Sequence, residues 1–347
     1  MSDLNAFKGD FYLKISDLLH LARKTVVQSV NKMIVLTYFE IGRLIVEEEQ
    51  NGKERAAYGK QILKELSNHL TKEFGKGFSV ENLSRMRYFY KTYSYRISST
   101  PLTIFEKGST VPDEFKLSWS HYLVLMRIDN ADERKFYEIE ATENSWSLRE
   151  LQRQFDSALY ERLALSRNKA EIKMLSEKGQ IIENAQDSLK DPYVLEFLGL
   201  PEENKYSETE FEQKLIDRLE HFLLELGKGY TFVGRQVRFT FDDKHFRVDL
   251  VFYNRLLQCF VLIDLKIGEI THQDIGQMQM YVNYYDRFVR LDIENKTIGI
   301  ILCKKKNDTL VEITLPENNE QIFASKYQTV LPSKKELKEL INSKIEE

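Results

Sequence analysis

The chain has 347 residues, 42% hydrophobic, 30% charged and 12% aromatic, with a formal net charge of −4. That length suggests two domains, each able to bury a core, and the slightly negative balance excludes attraction to nucleic acid through global charge, leaving local basic patches. Two cysteines set far apart, Cys259 and Cys303, offer neither a disulfide framework nor zinc spacing, and read as buried thiols within strands.

Taken in order, the opening MSDLNAFKGDFYLKISDLL lacks the basic start and apolar core of a secretory signal, and no apolar run approaches membrane-spanning length. A cytoplasmic protein without a membrane partner is expected. Apolar residues at three- and four-residue spacing predict helices over 12–30 and 33–49, then a third over 59–74 closed by Gly75 and Gly77. Ser79 is placed to cap a fourth, SVENLSRMRYFYKTY. A helix, a glycine turn and a second helix bearing Arg85, Arg87, Tyr88 and Lys91 has the outline of a DNA-reading helix-turn-helix. An ordinary helical hairpin with a solvated basic face has the same outline. Residues 94–115 loosen into a Ser-, Thr- and Pro-containing loop. Helices resume over 119–128, 131–144 and 147–165, with Trp119 and Trp146 expected in the core. Residues 10–165 thus form a mostly helical domain, and the charged stretch 166–188 is the expected linker.

A second domain is expected over 189–335, followed by a helical tail over 336–347. It opens with a short helix over 192–200 and a strong one over 207–226, closed by Gly227 and Gly229. A strand over 231–241 follows, then two apolar runs, 246–253 and 259–267, flanking a short polar turn as a β-hairpin. A helix over 273–285 and strands over 297–305 and 311–315 complete the order. Closing the hairpin so that Asn254 faces Cys259 sets Asp249 opposite Asp264, with Cβ atoms about 5 Å apart on one face. Period-two alternation adds Lys266 to that face. Like charges opposed among Val, Leu, Ile and Phe are destabilising unless a cation lies between them. A hard divalent ion such as Mg²⁺ takes carboxylate oxygens readily. A register slip of one residue would move Asp249 to the other face, and a sheet end open to solvent, with Lys266 pairing one acid, is the plainer alternative.

The order Asp, then Asp-x-Lys on the next strand, then a helix with Gln-x-x-x-Tyr, resembles the PD-(D/E)XK nuclease superfamily. Longer stretches, VDLVFYNRLLQCFVLIDLKIGEITHQDIGQMQMYVNYYD and TIGIILCKKK, are similar to the C-terminal domain of YhcG-type PDDEXK nucleases. DPYVLEFLGL, FLLELGKGYTFVGRQ and, in the first half, WS, YG and FGKGFS match the same family. Val248 stands where the superfamily has its proline, and Asp264 where glutamate is commoner; both carboxylates remain. The resemblance implies an α+β multidomain protein: a mostly α-helical N-terminal domain, then an α/β restriction-endonuclease-like domain of order αβββαβ.

On that resemblance Asp249 and Asp264 hold one or two Mg²⁺ (or Mn²⁺) ions, which polarise the scissile phosphate and help ionise a water. Lys266 would position or deprotonate that water, or stabilise charge on the phosphate. The glutamate that the superfamily often takes from its first helix is Glu212, which shares a face with Ile216, Leu219 and Leu223, or else Glu220. Gln277 and Tyr281, four apart on one helical face, would touch substrate or water. Gly276 would let that helix approach the sheet, and Asp274 is expected as a capping or first-turn group. Arg235, Gln236 and Arg238 on the first strand, and Lys304, Lys305 and Lys306 on a later one, are candidate phosphate grips. Lysine at an edge strand equally serves to block aggregation.

No phosphate-cradling GxxxxGK[ST] loop, HExxH zinc helix or GxSxG elbow is present. The expected protein is a Mg²⁺-dependent endodeoxyribonuclease acting in bacterial genome defence or DNA processing. Its expected partners are DNA, a second copy of itself, or other defence or DNA-processing proteins. The competing reading is a nucleic-acid-binding or assembly module in which the nuclease core is a silent scaffold.

Overall fold

The computed structural model describes residues 2–51, 56–96, 115–165, 167, 169–201, 206–241 and 243–346. The chain divides into two compact units between Leu151 and Gln152.

In the first unit, α1 runs unbroken over Ser2–Asn51, where two helices were expected. Asn31 and Lys32 carry neither the proline nor the glycine that would stop it. Helices α2 (Ala56–Phe74) and α3 (Val80–Tyr93) are as expected. Gly75 and Gly77 between them take φ values of 83° and 122°, and Ser79 accepts from the Asn82 amide at 3.2 Å. α1 crosses α3 at Gly42, where a Cβ would stand 2.1 Å from the Met86 carbonyl oxygen. Only glycine permits that approach. Phe39, Phe89, Tyr93, Phe115 and Tyr122 build a ring-against-ring core, which half-buried Trp119 joins edge-on to Phe89 at 5.3 Å. Trp146 is half-buried, its carbonyl bonded to His121 Nε2. Helices α4 (Trp119–Leu125) and α5 (Ala131–Glu143) complete this unit. Of the expected loop over 94–115, residues 97–114 lie outside the described residues.

The expected helix over 147–165 is instead two, α6 (Leu148–Asp156) and α7 (Leu159–Leu165), parted where Ala158 takes φ 54°. The stretch expected as a linker, 166–188, contains folded structure. It holds α8 (Lys169–Lys178), and Arg167 donates to the carbonyls of Leu163 and Asp187. The short helix expected over 192–200 is a two-residue strand, β1 (Tyr193–Val194), and a 3-10 turn.

The expected helix over 207–226 breaks at Arg218 into α9 (Glu208–Asp217) and α10 (Leu219–Leu226). Strands β2 (Tyr230–Phe241), β3 (Lys244–Asn254) and β4 (Cys259–Glu269) follow, then α11 (His272–Phe288) and β5 (Ile298–Lys305). The strand expected over 311–315 is a helix, α12 (Asp308–Thr314); β6 (Ile322–Gln328) and α13 (Lys334–Glu346) come after it. The six strands lie in the order β1-β6-β5-β4-β3-β2, parallel from β1 to β4 and antiparallel from β4 to β2.

One sheet face packs Val261, Ile263 and Leu265 of β4 against Phe211, Leu215, Phe222 and Leu226 of α9 and α10. The other packs Leu262 and Ile301 against Ile275, Met278, Tyr281 and Val282 of α11. The glycine that admits α11 to the sheet is Gly299, where a Cβ would meet Met278 at 2.6 Å; Gly276, expected in that role, has nothing within 4 Å of its own Cβ position.

Candidate active site

The hairpin pairs as its apolar runs dictate, from Asn254↔Cys259 to Leu250↔Ile263. The ladder then stops, one step short of Asp249 and Asp264. Alternation breaks at the same place: Val248 and Val251 both join the α11-side core, while Leu250 joins the other. Across from Asp249, between the pairs Arg235↔Leu250 and Val237↔Val248, stands Gln236 with φ 48°, a left-handed backbone that a glutamine rarely adopts. The kink frees the Asp249 carboxylate to replace a strand. Its Oδ2 accepts the Leu265 amide at 2.9 Å, and its Oδ1 accepts from Gln236 Nε2 at 3.0 Å. The same Gln236 Nε2 donates to Glu212 Oε2 at 2.7 Å. One amide thus joins the acid of α9 to the acid of β3, and Glu220, the alternative acid, is exposed.

Asp264 follows Leu262 by two residues, so its carboxylate occupies the α11-side core, only 3% exposed. Lys266 Nζ stands 3.0 Å from Asp264 Oδ2 and 3.6 Å from Asp274 Oδ1. Asp274 also caps α11, accepting from the Thr271 amide and hydroxyl. Burial and the nearby Asp249 raise the Asp264 carboxyl above its ordinary value, against the pull of Lys266. Burial likewise raises Glu212, with Gln236 opposing and Asp249 adding to it. Burial works to lower the Lys266 ammonium, but Asp264 outweighs it and the net shift is upward. Gln277 donates to the Tyr281 hydroxyl, and that phenol is pushed up to about 12 by burial, with Asp264 contributing next.

Asp249 is thus the meeting point: Gln236 ties Glu212 to it, Asp264 with its Lys266 acts on it by charge, and Tyr281, bonded to Gln277, lies within electrostatic reach of both aspartates. Among the described residues no group of three or more His, Cys, Asp or Glu side chains is spaced to hold a metal ion. The donor chemistry nonetheless fits a hard cation. Glu212 Oε1 and Asp264 Oδ2 are buried and have no hydrogen-bond partner among the described residues, Lys266 approaching the latter as an ion pair only. Buried acceptors of that kind are costly when left unmet.

Of the basic candidates, Arg235 is within electrostatic reach of the site, where it favours the charged form of Glu212. Arg235 is exposed and donates to Gln213 at 2.8 Å. Arg238 is opposed in the ladder by Arg247, which sequence reasoning missed, and both are exposed. Lys304 sits 5.9 Å from the Tyr206 ring centre, and β5, which carries Lys304 and Lys305, is an interior strand, so neither guards an edge. In the first unit Arg85 pairs with Glu81, Arg87 pairs with Glu49 of α1 at 2.6 Å, and Lys91 is exposed. Gln236 was read only as a phosphate grip; nothing in a sequence marks a glutamine as left-handed.

Residues 186–342 match the family model described as YhcG PDDEXK nuclease domain, and residues 14–162 match the DUF1016 N-terminal domain. The chain is 40% identical over 348 residues to an Escherichia coli K12 protein named "Putative nuclease YhcG", covering 94% of this chain and 92% of that one. A repair endonuclease from Pyrococcus abyssi aligns with 38% of this chain and 50% of its own at 13% identity, with a TM-score of 0.24, too low to bear on the fold. Among the described residues no helix is long and apolar enough to cross a membrane.

Proposed function

We propose, for a chain that belongs to the YhcG family of PDDEXK nucleases, a Mg²⁺- or Mn²⁺-dependent endonuclease that hydrolyses phosphodiester bonds in DNA. The observation that carries this reading is two buried carboxylate oxygens beside Asp249: Glu212 Oε1, which has no hydrogen-bond partner among the described residues, and Asp264 Oδ2, which is met by the Lys266 ammonium alone. Asp249 and Asp264 would hold the ion, with Glu212 kept near by Gln236. When bound, such an ion polarises the scissile phosphate and lowers the pKa of water.

Lys266, paired with Asp264, enters as an ammonium, which suits it to meet negative charge on the phosphate rather than to take a proton. Gln277 and Tyr281 would orient water or substrate beside the acids. Arg238 and Arg247 oppose each other as like charges, a destabilising arrangement that an intervening phosphate would relieve. A homodimer would supply one such site per DNA strand. Genome defence or DNA processing is the context we assign to the protein, on the resemblance read from the sequence and not on this geometry.

Linear, circular, single-stranded and branched DNA incubated with Mg²⁺, with Mn²⁺ and with chelator should be cut only in the presence of metal. DNA that is bound but left intact in both metals would favour the silent scaffold instead. Gln236→Ala should weaken Mn²⁺ binding by about 10- to 100-fold in titration calorimetry, since groups that orient metal ligands carry effects of that order. Unchanged affinity would reduce Gln236 to a strand kink.

A further inference from the structure

Helix α1 carries a feature that the nuclease reading does not use. Over 12–33 it lies ahead of the residues it gives to the core, which begin at Val35, and it exposes a stripe of large apolar side chains. Tyr12 is 65% exposed, Leu19 54%, Val26 63% and Val30 51%, with Ile15 and Met33 also exposed. At 3.6 residues per turn these six share one face; Leu18 and Val27, also exposed, flank it, and Leu21, 62% exposed, lies on the opposite face. The successive spacings of the six are 3, 4, 7, 4 and 3, a series that reads the same in both directions. Ala22 and Arg23 occupy its centre.

We infer that this stripe is a homodimer seam, in which α1 lies antiparallel to α1 of a second copy about a two-fold axis passing between residues 22 and 23. A two-fold axis brings a surface onto itself, so it demands a self-complementary patch. The symmetric spacing supplies one: Tyr12 meets Met33 of the second copy, Ile15 meets Val30, Leu19 meets Val26, and Ala22 meets Arg23. In each layer the two side chains lie on opposite sides of the seam midline, so they interleave rather than collide. Arg23 is the one charge on the stripe, and the small Ala22 facing it leaves its long stem room to reach water. Lys14, Asp17 and Lys32 fall off the stripe.

At 1.5 Å per residue the seam is about 33 Å long. Two helices in contact over that length cover on the order of the 1,000 Å² that a specific interface needs. A helix segment exposed on this scale gains little from its own unit, and pairing supplies the packing that helices of this kind depend on. The inference rests on no part of the nuclease chemistry and would stand if that reading failed.

Analytical ultracentrifugation of the full chain and of Leu19→Glu/Val26→Glu tests it. The wild type should sediment as a dimer at micromolar concentration, and the double variant as a monomer with its dissociation constant raised by more than about 100-fold. Both substituted positions are exposed in the single chain, so the variant should keep a cooperative thermal transition. A monomeric wild type, or a double variant that stays dimeric, overturns the seam; so does a monomer whose helix instead binds vesicles or DNA. Ile15→Cys and Val30→Cys, each separately and mixed under oxidation, test the direction. A disulfide formed in the mixture alone supports the antiparallel pairing, and one formed in either single variant alone overturns it.

Discussion

Asp264→Asn is expected to lower DNA cleavage by about a thousandfold while leaving the protein at least as stable as the parent. The rate loss follows from the proposed role of Asp264, a charged group beside the reacting phosphate and its ion, where single groups carry factors of about 10²–10³. The stability follows from cost. The Asp264 carboxylate is 3% exposed, sits in an otherwise apolar layer and faces Asp249, all of which raise its pKa. Asparagine keeps its shape and removes its charge. The Oδ2 atom gives up its 3.0 Å ion pair with Lys266, but that lysine is partly exposed and retains Asp274 at 3.6 Å. Calorimetry and cleavage on one preparation decide the matter. Lost cleavage with a melting temperature several degrees lower would make the carboxylate structural, and full cleavage would remove it from the site.

Arg162→Met should have the largest effect on stability, costing about 3–5 kcal/mol. Both Arg162 and Glu225 are fully buried. The guanidinium holds the Glu225 carboxylate at 2.5 Å and also donates to the carbonyls of Ser157 and Pro192. Glu225 in turn accepts the Val194 amide of β1 at 2.9 Å, and Lys190 donates to its carbonyl. Removing the arginine strands a charge inside the fold. In a unit of this size the melting temperature should fall by roughly 6–20 °C. Adding Glu225→Leu should recover part of the loss, because the stranded charge goes too. A fall below about 3 °C for the single variant would mean that Arg153 and Lys190 suffice.

The same network sets a pH window. Burial raises the Glu225 carboxyl, but Arg162, Lys190 and Arg153 outweigh it, so its folded pKa lies below the unfolded one. Its stabilising contribution is therefore whole above the ordinary glutamate range, near 4.3, and is lost as pH falls through the lower, folded value.

The hairpin was legible because two apolar runs, a short turn and period-two alternation favour the register with Asn254 opposite Cys259, which the structure has. That register delivered Asp249, Asp264 and Lys266 to one place. The end of the ladder at Asp249 was not legible, since it depends on a left-handed Gln236 that no sequence signal marks. The break at Arg218 lacks glycine or proline, and it was invisible for the reason that made α1 look divisible: apolar spacing reports a face, not continuity. Val311, Ile313 and Leu315 alternate like a strand, yet seven residues suit a helical turn equally. The true strand, IFASKYQ, hides its burial behind Ser325 and Lys326.

The twelve-residue β2 is the open margin of the sheet, a row of backbone groups onto which another chain would otherwise zip. The irregularities that shape the site also spoil that template. A register shift between Phe232 and Gly234, the left-handed turn at Gln236, and exposed Arg235 and Arg238 leave no long flat run. The proposed site and the guarding of this margin thus draw on the same few residues, and straightening β2 to tidy the fold would invite fibres.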